Sequence, residues 1–247
     1  MSRLDQVLVE RGICESREKA RRAVLAGQVR INGQRASKPS DTVKAVDDIS
    51  VVQPEKYVSR GGLKLEHGLV HFQLNVAGQT AIDLGASTGG FTDCLLQAGA
   101  ARVFAVDVGH GQLAWKLRQD PRVVVMEKTN ARNLTAAHFP TPYSPCHLVV
   151  ADCSFISLKK ILPAAIALLG SPGRILALVK PQFEAGRAEA DKGAGVIKDP
   201  AIHARVLREL KEFVERETAL FWRGETESPL LGPAGNKEFL ILLEKSV

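Results

Sequence analysis

Thr80-Ala81-Ile82-Asp83-Leu84-Gly85-Ala86-Ser87-Thr88-Gly89-Gly90-Phe91-Thr92 decides how the rest of the chain is read. Residues 81–84 are a short apolar run suited to a buried strand, and residues 85–90 carry no bulky side chain and suit a turn. The spacing predicts a helix that starts at Ser87 or Thr88, both good N-caps, and runs to about residue 97. Strand, glycine turn and helix make the first half of a nucleotide-binding βαβ unit, where a ligand lies against exposed backbone at the strand's carboxyl end. The glycines do not follow G-x-G-x-x-G, and no Lys-Ser or Lys-Thr follows Gly90, so neither the dinucleotide fingerprint nor the P-loop is met. A second apolar run, residues 101–106, ends in Asp107, about 20 residues past the glycines, where a carboxylate can take both hydroxyls of a ribose. Asp83, just before the turn, suits a cationic ligand better than a pyrophosphate. Many sheets of this kind have a glycine turn here; the two carboxylates are what make it a cofactor site. An adenosine carrying a sulfonium and an amino group fits them, which makes S-adenosylmethionine the expected cofactor.

The 247 residues suffice for one large domain and a small one. A hydrophobic content of 45% is ordinary for a globular protein. The net charge of +6 is unevenly placed: residues 1–38 hold nine Lys/Arg against four Asp/Glu. A basic head on a near-neutral body points to a polyanion, whether RNA, DNA or anionic lipid. The four cysteines, Cys14, Cys94, Cys146 and Cys153, show neither C-x-x-C pairing nor a spacing suited to zinc, so reduced thiols and no metal are expected. No apolar segment follows the first residues as in a signal peptide, and residues 161–169 are about half the ~20 a membrane helix needs. These features predict a soluble cytoplasmic protein with no membrane partner, and a monomer.

From the start of the chain, Leu4, Val7 and Leu8 share one helical face within residues 3–11, with Arg3 and Arg11 outside it, and Gly12 ends the helix. Ser16 caps a second helix, closed by Gly27, in which Ala20, Ala23 and Val24 pack inward while Arg17, Lys19, Arg21 and Arg22 crowd the other face. Val29-Arg30-Ile31 running into Asn32-Gly33 signals a hairpin with a type I′ turn. Short strands continue to about residue 52, with turns at Lys38-Pro39-Ser40-Asp41 and Asp47-Asp48. Arg3-Leu4-Asp5, Ser16-Arg17-x-x-Ala20 and Gly27-x-Val29-x-Ile31-Asn32-Gly33 resemble the RNA-binding fold shared by a small-subunit ribosomal protein and many pseudouridine synthases. The resemblance implies that the second helix and the following hairpin grip RNA backbone. Arg3, Arg11, Arg17, Lys19, Arg21, Arg22, Arg30 and Asn32 are then the RNA-binding candidates, able to neutralise phosphates while carrying little sequence information.

Residues 53–59 read as a linker between a small α+β domain (1–52) and a large one (60–247). In the large domain, residues 59–69 begin a helix with Leu63, Leu65 and Leu69 apolar; Lys64 on such a helix reads as solvent-facing. Strands follow at residues 123–126, at 148–151 ending in Asp152, and at 174–179 ending in Lys180. Helices are predicted over 159–169, where Pro163 is a possible interruption, and over 200–216. Residues 221–227 and 238–243 close the sheet as a hairpin. Such alternation specifies a doubly wound α/β sheet, largely parallel, with an antiparallel last strand. Asp83, Asp107, Asp152, Lys180 and Glu238 all fall at the edge where such sheets bind ligands.

From residue 58 onward the chain resembles the TlyA-type methyltransferases, a branch of the FtsJ-like RNA ribose 2′-O-methyltransferases. The motifs that carry the resemblance are Val58-Ser59-Arg60-Gly61-Gly62-Leu63-Lys64, Asp83-x-Gly85 with the turn to Thr92, and Ala151-Asp152-Cys153-Ser154-Phe155-Ile156-Ser157. Leu178-Val179-Lys180-Pro181-Gln182-Phe183-Glu184, Gly193-x-Gly195-Val196-Ile197-Lys198-Asp199-Pro200 and Asn236-Lys237-Glu238-Phe239 complete the set, in family order. The resemblance implies a Rossmann-like methyltransferase domain with catalytic residues Lys64, Asp152, Lys180 and Glu238. Cofactor contacts would fall on Asp83, Gly85, Ser87, Thr88, Gly89, Gly90, Phe91, Asp107 and Asn130. It also implies ribosomal RNA or ribosomal subunits as partner, with a cytidine ribose as acceptor.

A ribose 2′-hydroxyl is a poor nucleophile, so a base must take its proton as the oxygen attacks a methyl group in line. Lys180 can serve if burial and the charge of Lys64 make it less basic, although close carboxylates work the other way. Asp152 and Glu238 would orient the two ammonium groups, and Lys64 would stabilise the developing alkoxide. Rival readings fit the residues less well. Cytosine carbon-5 methylation needs a cysteine nucleophile, but Cys146 precedes its strand and no Pro separates Asp152 from Cys153. Methylation of a base amino group brings an Asn/Asp-Pro-Pro-Tyr/Phe turn, and Asp152-Cys153-Ser154-Phe155 lacks the prolines. A membrane-active protein, suggested by the haemolysin label of this family, finds no spanning helix, and an assembly factor without activity would not need all four charged residues.

Overall fold

Apolar runs that alternate with helices give the carboxyl-terminal part of the chain a seven-stranded sheet, in which Leu220–Glu227, Phe239–Lys245, Leu169–Val179, Cys146–Ala151, Thr80–Leu84, Arg102–Val106 and Val123–Met126 lie side by side in that order. The computed structural model describes residues 1–52, 55–141, 143–186, 189, 191 and 193–245. Two compact units are present, Met1–Lys56 and Tyr57–Val247. Gln53 and Pro54, the first two residues of the expected linker, lie outside the described residues, as do 246–247 at the end of the expected large domain. Tyr57, grouped above with the linker, is buried in the core of the second unit.

The first unit is built from β1 (Ser2–Arg3), α1 (Leu4–Glu10), α2 (Arg17–Leu25), β2 (Val29–Ile31), β3 (Gln34–Arg35), β4 (Thr42–Val43) and β5 (Ile49–Val51). The turn between β2 and β3 has positive φ at both Asn32 (51°) and Gly33 (81°), as a type I′ turn requires. Ser16 caps α2 by accepting from the Lys19 amide at 3.3 Å. Leu4, Leu8, Ala20, Val24, Val29 and Ile49 form the small core, whereas Ala23 is only partly buried. Asp5 is buried at its edge, and Arg3 Nε and Arg17 Nη2 each hold it at 3.0 Å.

In the second unit the elements are α3 (Gly61–His71), β6 (Thr80–Leu84), α4 (Gly90–Gln97), β7 (Arg102–Val106), α5 (Trp115–Arg118), β8 (Val123–Met126), β9 (Cys146–Ala151), α6 (Leu162–Leu168), β10 (Leu169–Val179), α7 (Pro181–Glu184), α8 (Pro200–Glu217), β11 (Leu220–Glu227) and β12 (Phe239–Lys245). Strands β10, β9, β6, β7 and β8 pair in parallel, and β12 lies antiparallel between β10 and β11. Side chains alternate across each strand. Ile82, Phe104, Val149, Ile175 and Ile241 pack on one face with Leu162, Leu168, Val206 and Leu210 of α6 and α8. Ala81, Val103, Leu148, Leu176 and Leu240 pack on the other with Leu65, Leu69 and Leu95 of α3 and α4. Burial of each of the larger side chains contributes about 1.5–3 kcal/mol. The doubly wound sheet with its antiparallel last strand is as the alternation predicted.

Four local expectations are corrected. Helix α4 begins at Gly90, capped by Gly89 at φ 96°, because the Ser87 amide is taken by Asp107 Oδ2 at 2.8 Å and Ser87 itself sits at φ 48°. Pro163 does not interrupt α6; it occupies its first turn, where a missing N–H costs nothing. Cys146 opens β9 rather than preceding it. On α3, Leu63 is 40% exposed while Lys64 is 8% exposed, the reverse of the expected pattern.

The turn tolerates little change. Gly85 sits at φ +84°, and a Cβ there would lie 2.8 Å from the Asp152 carbonyl oxygen. Gly85→Ala is expected to destabilise the second unit by about 1–3 kcal/mol, seen as a lower midpoint in thermal or urea melts; an unchanged midpoint would show that the turn relaxes freely. In the first unit the hydrogen bond from Arg3 holds the Asp5 carboxyl down at about 2, against the opposing effect of burial. A depressed acid lends stability above its ordinary value near 4 and loses it as the pH falls toward 2. Asp5→Asn should therefore raise hydrogen exchange in α1 at pH 7, and the gap from the unsubstituted chain should narrow below about pH 4 and close near pH 2. A gap that persists at low pH would point to packing instead of charge.

Candidate active site

Asp152 follows β9 and Lys180 follows β10, so both stand at the carboxyl edge of the parallel strands. Strand β12 runs the other way, so Glu238, just before it, starts at that same edge. Lys64 arrives there from the first turns of α3. All four line one cavity of about 290 Å³. Lys64 Nζ lies 2.5 Å from Glu238 Oε2, and Lys180 Nζ lies 2.6 Å from Asp152 Oδ1. Each lysine is only 8% exposed, and a buried ammonium is tolerable because a carboxylate faces it. Lys180 also donates to Ser154 Oγ at 2.8 Å. In the sequence Ser154 is only one residue of a family motif; nothing in its type or spacing marks it as a partner of Lys180.

Backbone closes the other wall. Gly85, Ser87, Thr88, Gly90 and Phe91 of the predicted cofactor set line the same cavity. Gly90 is needed for contact with the start of α3: a Cβ there would meet Ser59 Oγ at 2.3 Å and the Gly62 amide nitrogen at 2.9 Å. A second cavity of about 460 Å³ shares Gly85, Ser87, Asp152 and Ser154 with the first and carries Asp107 and Asn130. Asp107 accepts from the Ser87 amide through Oδ2 and from the Gly109 amide through Oδ1, at 2.8 and 2.7 Å. Val106, Val108, Ile156 and Ile161 give this cavity apolar walls. Phe155 stands on it at φ 64°, 90% exposed, its ring centroid 5.1 Å from that of Phe183. A bare aromatic ring beside a buried charged cluster has no local signature in the sequence.

Two of the cofactor candidates line neither cavity. Asp83 is fully buried beneath the turn, where Oδ2 accepts from Thr92 Oγ1 at 2.7 Å and Oδ1 has no hydrogen-bond partner among the described residues. Burial pushes its carboxyl up to about 7, with Asp152 and Asp107 adding to the shift and Thr92 opposing it. Gly89 faces α5, where a Cβ would meet Leu117 Cδ1 at 2.2 Å. The cysteines are unsuited to nucleophilic work. Burial pushes Cys153 and Cys146 up to about 12 each, and their thiols donate at 3.4 Å to the carbonyls of Leu84 and Leu168.

The basic set of the first unit divides by what each side chain already holds. Arg11 donates to the carbonyls of Lys44, Ala45 and Asp47, and Asn32 bonds to Asp47 and Asp48, so both brace the loop over residues 44–48. Arg3 and Arg17 clamp Asp5. Lys19 pairs with Glu15 and Arg22 with Glu18 on the exposed face of α2, pairings worth about 0.3–0.5 kcal/mol and easily exchanged for a phosphate. Arg30 reaches only the Gly33 carbonyl at 3.2 Å, and Arg21 has no partner among the described residues.

Comparison with known proteins agrees with this geometry. The FtsJ-like methyltransferase model matches residues 57–245, and the S4 domain model matches residues 2–49. YqxC of Bacillus subtilis, by name an rRNA methyltransferase, is 50% identical over 242 residues, covering 98% of this chain and 85% of its own. The 16S/23S rRNA (cytidine-2′-O)-methyltransferase TlyA of Mycobacterium tuberculosis is 46% identical over 246 residues, covering 98% of this chain and 89% of its own. A solved structure from Streptococcus thermophilus, named as a hemolysin, superposes with a TM-score of 0.75 at 44% identity, covering 99% of this chain and 88% of its own. No helix among the described residues is long and apolar enough to cross a membrane. With a model match over most of its length and relatives near half-identical across nearly all of it, the chain belongs to the FtsJ-like methyltransferase family.

Proposed function

We propose that this chain is a cytoplasmic enzyme that methylates a ribose 2′-hydroxyl of ribosomal RNA, at a cytidine, using S-adenosylmethionine. The observation that carries the reading is the pair of lysine–carboxylate contacts, Lys64–Glu238 and Lys180–Asp152, on a cavity whose far wall is glycine-turn backbone. The residues present suit the cofactor. Asp107 offers carboxylate lone pairs to a ribose, and Val106, Ile156 and Ile161 offer apolar walls to a flat ring. Asn130 lines the same cavity, and the backbone of Gly85, Ser87 and Thr88 borders the passage toward Lys180. When bound there, S-adenosylmethionine supplies a methyl group on a cationic sulfur.

The chain's own residues do the rest. Lys180 first gives up its ammonium proton to solvent and then takes the proton of the 2′-hydroxyl. Asp152 and Ser154 hold Nζ in place for that transfer, and then face the ammonium that results. Lys64, held by Glu238, presents positive charge where the alkoxide develops. Phe155 gives the base of the target nucleoside a ring to stack on, since every base has a π face. The S4-domain match over residues 2–49 and the exposed Lys19, Arg21, Arg22 and Arg30 support a head that binds RNA backbone and brings ribosomal RNA or a ribosomal subunit to the site. The names of the relatives support ribosomal RNA and cytidine.

Lys180→Ala should lower tritiated methyl transfer to ribosomal RNA by about 10²–10⁴-fold, with cofactor affinity by calorimetry changed little. Full activity in the variant would remove Lys180 from the mechanism. Mass-spectrometric mapping of ribose methylation in ribosomal RNA, with and without the protein, locates the nucleotide. Phe155→Ala should lower kcat/KM on RNA by about tenfold or more, from the ~1–3 kcal/mol that one stacked base contributes, and Phe155→Trp should restore most of it. Equal loss in both variants, or none in either, would rule out stacking.

A further inference from the structure

Away from the four charged residues, a third cavity of about 510 Å³ opens between α8 and the β11–β12 hairpin. It lies back to back with the first. Successive side chains of an extended segment point to opposite faces, so Glu238 lines the first cavity while Lys237 and Phe239 line this one. Its rim is cationic: Lys198, Arg208, Lys211 and Lys237 are all exposed. Arg208 and Lys211 stand three residues apart on one face of α8. Lys198 and Arg208 have no ion-pair partner among the described residues, and Lys211 reaches Glu215 only at 3.9 Å. Of the two acids on the opposite wall, Glu227 is held by Lys237 at 3.0 Å, and Glu225 accepts from Trp222 Nε1 at 3.1 Å. Positive charge on the helix side therefore exceeds what the strand side neutralises.

His203 lines this cavity and is 95% enclosed by protein, exposing only 5%. Its Nε2 lies 2.9 Å from the Ile197 carbonyl, which can only accept, so Nε2 is the donor. The ring packs on Phe239 with centroids 5.6 Å apart, so His203 ties α8 to the start of β12 on the wall of the groove.

We infer that this groove binds phosphodiester groups of the RNA strand that carries the target ribose, and that it is a second anchor independent of the basic head. The inference rests on the proposed RNA substrate. The groove opens beside Lys237, next in sequence to Glu238 of the first cavity, so a strand whose ribose reaches Lys180 and Glu238 can continue into it. Lys198, Arg208 and Lys211 then track the backbone as point and fork donors.

The test uses the full chain with Arg208→Glu and Lys211→Glu combined, both exposed positions, and the milder Arg208→Gln alongside. Filter binding of a radiolabelled, transcribed ribosomal RNA is measured over a series of salt concentrations. The double variant should bind at least about tenfold more weakly, with a log–log salt slope shallower by roughly 2, one for each phosphate left without its cation. Arg208→Gln should move both in the same direction by less, and cofactor affinity and melting midpoint should not move. RNA affinity and slope equal to those of the unsubstituted chain would overturn the groove as an RNA anchor, as would an acidic peptide that binds the unsubstituted chain and not the variant while RNA binding is equal in both. If the unsubstituted chain binds this RNA more tightly than the double variant but transfers no methyl group to it, the proposed activity fails and the groove stands. If the double variant binds and methylates as the unsubstituted chain does, the groove fails and the activity stands.

Discussion

Two buried ammonium groups at one sheet edge are the constraint on which the site depends. A lysine removed from water without a partner would lose several kcal/mol of hydration, so Lys64 and Lys180 can be enclosed only where Glu238 and Asp152 face them. That requirement reaches far along the chain. Asp152 and Lys180 come from adjacent parallel strands, Glu238 from the one strand that runs backward, and Lys64 from a helix that precedes the sheet altogether. Had β12 run parallel, Glu238 would open at the opposite edge and Lys64 would have no counter-charge. The antiparallel strand is therefore part of the chemistry as well as of the fold.

Glycine holds these parts in register by letting backbones approach where side chains would intervene. Gly85 packs on the Asp152 carbonyl and Gly90 on the start of α3, so a single turn touches the segments that carry Asp152 and Lys64. Hydrogen bonds continue the bracing. Glu184 accepts from Ser157 Oγ at 2.6 Å and from the Leu158 amide at 2.7 Å, tying the loop after Asp152 to the helix after Lys180. Asn236, fully buried, accepts from the Ile197 amide and donates to the Gly195 carbonyl, both at 2.8 Å, and so pins the turn that delivers Glu238. Several motif residues that gave no chemical signal in the sequence have this positioning work.

What could be read in advance follows from which forces act locally. Strands β6, β7, β9 and β10 were legible because burial on both faces demands largely apolar runs, interrupted in β6 by Asp83, and the polar terminators Asp107, Asp152 and Lys180 were legible with them. Lys64 was not. Its burial depends on Glu238, 174 residues away, and no local pattern on α3 encodes that partner; only the family resemblance placed it. The cap of α4 was misjudged for a similar reason, since Asp107 takes the Ser87 amide from a neighbouring strand and pulls the turn out of helical geometry. In the basic head, charge counting could not tell Arg11, spent on three carbonyls of its own domain, from Arg21, which holds none.

The sign of the charge at the strand ends explains why this sheet departs from the dinucleotide pattern. Asp107 and Asp152 both raise the buried Asp83 carboxyl, so three acids share one corner of the edge. A pyrophosphate brought to that corner would meet carboxylates with no lysine or arginine from the turn to offset them, since Gly85 to Thr92 contains none. A ligand with cationic sulfur and nitrogen is attracted there instead, and its charge would favour the ionised forms of the same three acids. Lys180 pairs with Asp152, and in the proposed reaction the anionic oxygen of the acceptor develops beside the lysines. Acids toward the methyl donor and ammonium groups toward the acceptor give the edge an electrostatic direction, and that direction is the one methyl transfer to an alkoxide requires.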